Sequence, residues 1–216
     1  MNTGDTAFMM ICAALVFFMT PGLAFFYGGL VRRKNVCNTI MACVAIMGLS
    51  VVMWTLFGYS LSFGGNHAGI IGDFRWFGLN GVGMEAGPYA DSIPHLVFCA
   101  FQMMFAMITP ALITGSLVGR MKFKALFLFV AIWSVIVYYP MAHMVWGDGG
   151  FLAAIGSVDF AGGDVVHISS GISALVLAII LGRRRGYEHT TYRIHNIPSV
   201  VLGASLLWFV CCNGQR

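Results

Sequence analysis

The chain has 216 residues, of which 59% are hydrophobic and only 9% charged, with a formal net charge of +4. Soluble domains carry about a quarter charged residues, so this chain cannot cover a water-facing surface and reads as a membrane protein. Its small positive charge therefore says nothing about nucleic acid, and what matters is where the charges fall.

They fall in clumps. No charged residue lies between Asp5 and Arg32, Lys34 and Asp73, Asp91 and Arg120, Lys124 and Asp148, Asp164 and Arg183, or Arg193 and Arg216. A helix needs roughly 20 apolar residues to cross the hydrocarbon core, and each gap supplies about that many. The predicted spans, in chain order, are Ala7–Val31, Asn38–Phe63, Ile93–Gly119, Ala125–Gly147, Val165–Gly182 and Ile197–Cys212. Helix is favoured over barrel strand because the runs are continuous and lack alternation with polar residues. The opening "MNTGDTAFMM" has no basic flank, and the apolar run after it is too long for a secretory signal. The one long loop, about Gly64 to Ser92, is rich in glycine, and no soluble domain is visible.

Lys and Arg set the orientation. Arg32, Arg33 and Lys34 follow the first span; Arg120, Lys122 and Lys124 join the third to the fourth; Arg183, Arg184, Arg185 and Arg193 join the fifth to the sixth. The opposite loops hold only Arg75, set among Asp73, Glu85 and Asp91, together with Asp148 and Asp159. The N-terminus is expected outside and the basic loops in the cytoplasm. The cysteines at positions 12, 37, 43, 99, 211 and 212 lie in or beside spans, and free thiols acting as small apolar groups are expected.

Few acidic or histidine residues remain inside or at the edge of the spans. His167 stands just inside the fifth, on a helix face continued by Gly171, Ala174 and Ala178. It is either a hydrogen-bonding group between packed helices or a pore-lining group that binds or exchanges a proton with a passing solute. Asp159 is either a helix-start cap or an acid at the outer mouth that favours entering cations. Asp164 reads as a first-turn acid favoured by the helix dipole. Trp146 closes the fourth span as an interface anchor or as part of a site. Phe101 and Phe105, four apart on the third, are either packing or an aromatic vestibule whose ring faces replace water around a small cation. His143 is read as packing, while His67, His189 and His195 fall in or beside loops, and no His/Cys/Glu set has metal-site spacing. "HISSG" sets Ser169 and Ser170 beside His167 without a nucleophile elbow or a separate base, and no phosphate-binding loop is present. No cofactor is indicated, and an enzyme is not the expectation.

Several stretches resemble one family. "AFMMICAALVFFMTPGLAFFYGGLVRRKNV", "FQMMFAMITPALITGSL", "YYPMAHMVWGDGG" and "DFAGGDVVHISSGISALV" are similar to the first, third, fourth and fifth helices of ammonium transporters, the Amt/Mep/Rh family. The resemblance implies an all-α polytopic bundle forming the first half of an inverted repeat, with about six helices in this chain. It further implies that Trp146 and Phe105 hold NH4+ by cation–π attraction, with Phe105, beside Phe101, as the outer ring of a phenylalanine gate. Asp159 would be the buried acid that organises the mouth and supports the cation electrostatically, and His167 the first of two pore histidines handling the proton and desolvated NH3. A homotrimer in the bacterial inner membrane and a PII-type cytoplasmic regulatory protein are implied as partners. After Phe209 the chain reads "VCCNGQR" where the family continues "GWFGFNAGS", so a truncated first half, unable to conduct alone, is expected. The alternatives are a non-transporting, ammonium-sensing or partner-binding membrane protein, and a membrane enzyme using His167 with Ser169 or Ser170.

Overall fold

A computed structural model describes residues 1–184 and 193–213, with the side chains of residues 212 and 213 left aside. Arg185 and His189, named above, lie outside the described residues, as does the Cys212 side chain. Among the described residues, five helices are long and apolar enough to cross a membrane: Thr3–Leu30, Arg33–Phe63, His95–Leu117, Phe123–Ala154 and Gly163–Leu181.

The first span is α1 (Thr3–Leu30), which starts ahead of the apolar run because Asn2 caps it, its side chain accepting from the Gly4 N–H at 2.8 Å. Hydropathy marks the part that meets lipid; the cap marks where the helix begins. In the second span, α2 (Val36–Met53) continues through a wide π-helical turn at Trp54–Gly58 into α3 (Tyr59–Phe63). The loop that follows contains a small hairpin of β1 (Ala86–Gly87) and β2 (Ala90–Pro94), antiparallel with Gly87 opposite Ala90. Strands this short leave no alternating pattern, so the sequence shows only a loop there. The third span is α4 (His95–Leu117).

The fourth span runs as α5 (Phe123–Trp133), a second wide turn at Ser134–Tyr138 and α6 (Tyr139–Trp146), with the short α7 (Phe151–Ala154) beyond Gly147. Pro140 has a physical part in that turn: it lacks the N–H that Ile136 would accept, and a wider turn makes room for its ring. The fifth span opens with a third wide turn, Gly163–Ile168, and continues as α8 (Ser169–Leu181). Then α9 (Ile197–Asn213) returns along α1.

Close helix approach is bought with glycine. A Cβ on Gly203 would strike the Phe26 nitrogen and the Gly22 carbonyl oxygen, and one on Gly29 would lie 2.7 Å from the Asn196 carbonyl oxygen. Backbones therefore meet where α9 crosses α1. The tightest core is aromatic, with Trp54, Tyr59, Phe63, Tyr138 and Tyr139 fully or almost fully buried between the second, third and fourth spans. The fifth span differs: 22% of its apolar stretch is buried, against 50% of the third's. Ile172, Leu175, Ile179 and Ile180 face outward from it.

Candidate functional site

Two of the expected site residues depend on how the fifth helix begins. Gly162 takes a left-handed conformation (φ +88°), and a Cβ there would lie 2.7 Å from Val166. The turn it makes aims successive N–H groups back at Asp159. One carboxylate oxygen accepts from Gly162 at 2.6 Å and Gly163 at 2.7 Å; the other accepts from Asp164 at 2.9 Å and Val165 at 3.0 Å. These satisfy donors that a helix N-terminus otherwise leaves unpaired, and they place negative charge at the positive end of the helix dipole. The capping reading of Asp159 is thus the geometry observed, and the side chain is half-buried rather than enclosed. Asp164, in the first turn, accepts from the Ser157 hydroxyl at 2.9 Å.

The same segment anchors Trp146, whose indole N–H donates to the Asp159 carbonyl oxygen at 2.9 Å. Its ring lies 5.9 Å from that of Phe105, and Phe105 meets Phe101 edge-on at 5.1 Å and 87°. Phe105 is buried; Phe101 and Trp146 are half-buried. A cavity of about 370 Å3 is lined by Phe101, Phe105, Trp146 and Asp159, with Gln102 beside them. Four of the five expected site residues therefore meet at one end of the bundle. Aromatic faces carry a negative quadrupole, the property by which such rings can attract a small cation.

His167 is not part of that cavity. It lies in the wide turn that opens the fifth span, one turn deeper, and its exposed ring lines a separate groove of about 520 Å3 with Tyr27, Leu112, Gly115, Ser170, Gly171 and Ala174. Gly171 and Ala174 share its face as the helical spacing predicts. The groove's far wall is α1 and α4, where the Tyr27 hydroxyl donates to the Leu112 carbonyl oxygen at 2.9 Å and its ring lies over Gly115. Among the described residues no hydrogen bond to the His167 ring is formed, so the helix-bridging reading is not the arrangement seen. Wide turns interrupt the regular ladder and re-aim side chains, often at functional positions.

Ser169 and Ser170 donate to the carbonyl oxygens of Val165 and Val166, at 2.5 and 2.6 Å. Their hydroxyls point along their own helix, not at His167, which removes the geometric basis of the hydrolase reading. His143, read as packing, is fully buried and bridges to the Ser62 carbonyl oxygen at 3.0 Å.

One buried polar pair escaped sequence reasoning. His95, the first residue of α4, is buried, and its ring nitrogen shares a hydrogen bond of 2.5 Å with the Tyr59 hydroxyl. Trp76 stacks on Tyr59 and meets His95 edge-on at 4.8 Å, pinning the long loop to the helices. The signal would have been a histidine directly after Ile93–Pro94 at a span start, too weak to distinguish from a surface group.

These helices and grooves define a polytopic α-helical membrane protein with an aromatic cavity at one end of the bundle and a separate histidine-bearing groove. The model of the Ammonium Transporter Family matches residues 7–211, and the chain belongs to that family, one of transporters and not of enzymes. It is 50% identical over 209 residues to an ammonium transporter of Bacillus subtilis (strain 168), covering 97% of this chain and 51% of that protein. An ammonium transporter of Mycobacterium tuberculosis (strain ATCC 25618 / H37Rv) is 48% identical over 229 residues, covering 95% and 48%. Among solved structures, the N240A mutant of Candida albicans Mep2 superposes with a TM-score of 0.88 at 31% identity, covering all of this chain and 48% of that one. A protein described as "Sensor Amt Protein" superposes at 0.82 with 29% identity, covering 94% and 52%. The chain spans about half the length of the relatives it matches.

Proposed function

We propose that the protein to which this chain belongs conducts ammonium across a membrane. NH4+ is gathered at the mouth formed by Trp146, Phe101 and Phe105, with Phe105 as the outer gate ring, and His167 handles the proton and NH3 in the groove beneath. The observation that carries the reading is the coupling of the two places through one segment. Asp159 caps the fifth helix and holds Trp146 through its carbonyl, while His167 sits in the turn the cap initiates. Separating proton from ammonia suits such a path, because a bare ion in an apolar groove loses its hydration without replacement.

The N-terminus and the aromatic mouth are assigned to the outside and the basic loops to the cytoplasm of a bacterial inner membrane, on the distribution of Lys and Arg. A homotrimeric assembly and a PII-type cytoplasmic regulator are carried by the family resemblance alone. Sensing without transport is the second reading, and the likeness to the protein described as "Sensor Amt Protein" favours keeping it.

Uptake of methylammonium, and growth on limiting ammonium, in a strain lacking its own ammonium uptake decide between these readings. The chain is expressed alone and joined to the second half of the Bacillus subtilis relative. Uptake is expected from the joined protein and not from the chain alone, whose groove leaves His167 exposed on one side. A joined protein that reaches the membrane, assembles and binds ammonium without flux would replace transport by sensing.

A further inference from the structure

We propose that Tyr89, in the turn of the β1–β2 hairpin, is a positioning residue for the aromatic cavity, holding its wall in the shape that takes in a small cation. The cation rests on the transport reading; the hold on the wall does not. Tyr89 is half-buried, and its hydroxyl donates to the Phe63 carbonyl oxygen at 2.8 Å and accepts from the Asp148 N–H at 3.1 Å. Its ring lies parallel to that of Phe98, at 4° and 5.4 Å between centroids. Phe63 meets both rings edge-on, 5.0 Å from Tyr89 and 5.3 Å from Phe98. Phe63 and Phe98 line the cavity with Phe101, Phe105 and Trp146, while Tyr89 lies outside its lining.

Anchoring the long loop does not by itself account for these contacts. The loop is already held by the His95–Tyr59 pair with Trp76, whose N–H donates to the Ser60 hydroxyl at 2.8 Å, and by the Asn2 N–H, which donates to the Ser92 carbonyl oxygen at 2.7 Å. None of those bonds engages a residue that lines the cavity. The Tyr89 bonds do, through Phe63 and through Asp148, two positions beyond Trp146. Asp148 stands between Gly147 and Gly149, the latter at φ +69°, where the chain has little stiffness of its own. The Tyr89 hydroxyl and the Asn66 side chain, which donates to the Gly149 carbonyl oxygen at 2.9 Å, fix that backbone. The Asp159 carbonyl holds the Trp146 indole from the other direction.

Phe98, Phe101 and Phe105 share one face of α4 at helical spacing. A ring stacked on one neighbour and met edge-on by another has no room to turn, whereas removal of Tyr89 leaves space beside Phe98. Cation–π attraction depends on which part of a ring is presented, since the face is negative and the edge positive. A wall released by loss of Tyr89 should therefore hold a cation less tightly without closing the path beyond.

The test measures methylammonium uptake against concentration in the joined protein, for Tyr89→Phe, Tyr89→Leu and the control Tyr59→Phe, which removes the other loop bond but no contact of Tyr89. Amounts of assembled protein in the membrane are matched. Tyr89→Leu should raise KM about tenfold with the maximal rate within about twofold, and Tyr89→Phe, which keeps the stacked ring, should raise it about threefold. Tyr59→Phe should leave KM unchanged. An unchanged KM in Tyr89→Leu, a lowered maximal rate alone, or an equal rise in Tyr59→Phe overturns the proposal. Absence of flux from the joined protein would remove the transport reading, and the hold on the wall is then decided in the purified 216-residue chain. There a Gln102→Cys reporter on the cavity wall, in a cysteine-free background, is labelled with aminoethyl methanethiosulfonate. Labelling should be about threefold faster or more in Tyr89→Leu and unchanged in Tyr59→Phe; equal rates in all three overturn the proposal.

Discussion

Asp159 and His167 lie eight positions apart and make opposite kinds of contact. Every oxygen of the Asp159 carboxylate is engaged by backbone N–H groups, whereas the His167 ring is exposed in its groove. Their substitutions should therefore separate stability from transport. Asp159→Ala removes four charge-assisted bonds and the cap, and is expected to cost about 1–3 kcal/mol of stability, read as a lowered midpoint of thermal unfolding in detergent. Uptake by the joined protein should be lost with it. Asp159→Asn keeps one accepting oxygen and should fall between the two. His167→Ala should leave stability within about 0.5 kcal/mol, since no described hydrogen bond is broken, yet abolish uptake. A His167→Ala protein that transports normally would take the histidine out of the path.

At the scale of elements, two contacts decide how the helices and the long loop are held. The crossing of α9 on α1 depends on Gly203, whose Cα hydrogen faces the backbone of Gly22 and Phe26. Gly203→Val should displace α9 at a cost of about 1–3 kcal/mol, because backbone atoms cannot move aside as a flexible side chain can. The check is disulfide cross-linking between cysteines introduced in α1 and α9, which should fail in the variant. The loop is held partly by Asp73, which accepts from the Arg75 N–H at 2.9 Å and lies 3.7 Å from the Arg75 Nε. Burial pushes its carboxyl up, but the N–H groups of Arg75 and Gly65 and the Arg75 guanidinium outweigh this and hold it below the ordinary 3.8. A depressed carboxyl stabilises the fold above its unfolded value, and that contribution disappears as pH falls through the folded one. The wild-type chain should thus unfold at a higher temperature than Asp73→Asn at neutral pH, and the difference should shrink as pH drops below 3.8.

At the scale of the whole molecule, the two ends of the bundle carry opposite characters. The aromatic cavity and Asp159 lie at one, a cavity lined by Arg32, Lys34, Arg120 and Lys122 at the other, and the His167 groove runs between them. The orientation drawn from Lys and Arg predicts that a cysteine introduced by Arg184→Cys, in a cysteine-free background, is labelled by an impermeant reagent only from the cytoplasmic side. One introduced by Gly83→Cys should be labelled only from outside. Reversed labelling would invert the proposed direction of entry without altering the fold.

The division between sequence and tertiary structure follows from the range of the interactions. Membrane-length helices were legible because lipid demands long apolar runs with few charges, and "AHMVWG" and "DFAGGDVVH" were specific enough to identify the family. Helix starts were less legible, since Asn2 and the Gly162 turn set them through hydrogen bonds that hydropathy does not register. Trp146, Phe101, Phe105 and Asp159 were picked out residue by residue, but their meeting in one cavity depends on helices far apart in the chain. For Asp159 the residue type left cap and mouth acid open, and only the turn at Gly162 showed four N–H groups converging on it. The His95–Tyr59 bond and the Tyr89 bonds to Phe63 and Asp148 connect residues 26 to 59 positions apart. Local pattern carries no trace of such contacts, because their partners come within hydrogen-bond range only after the helices have packed.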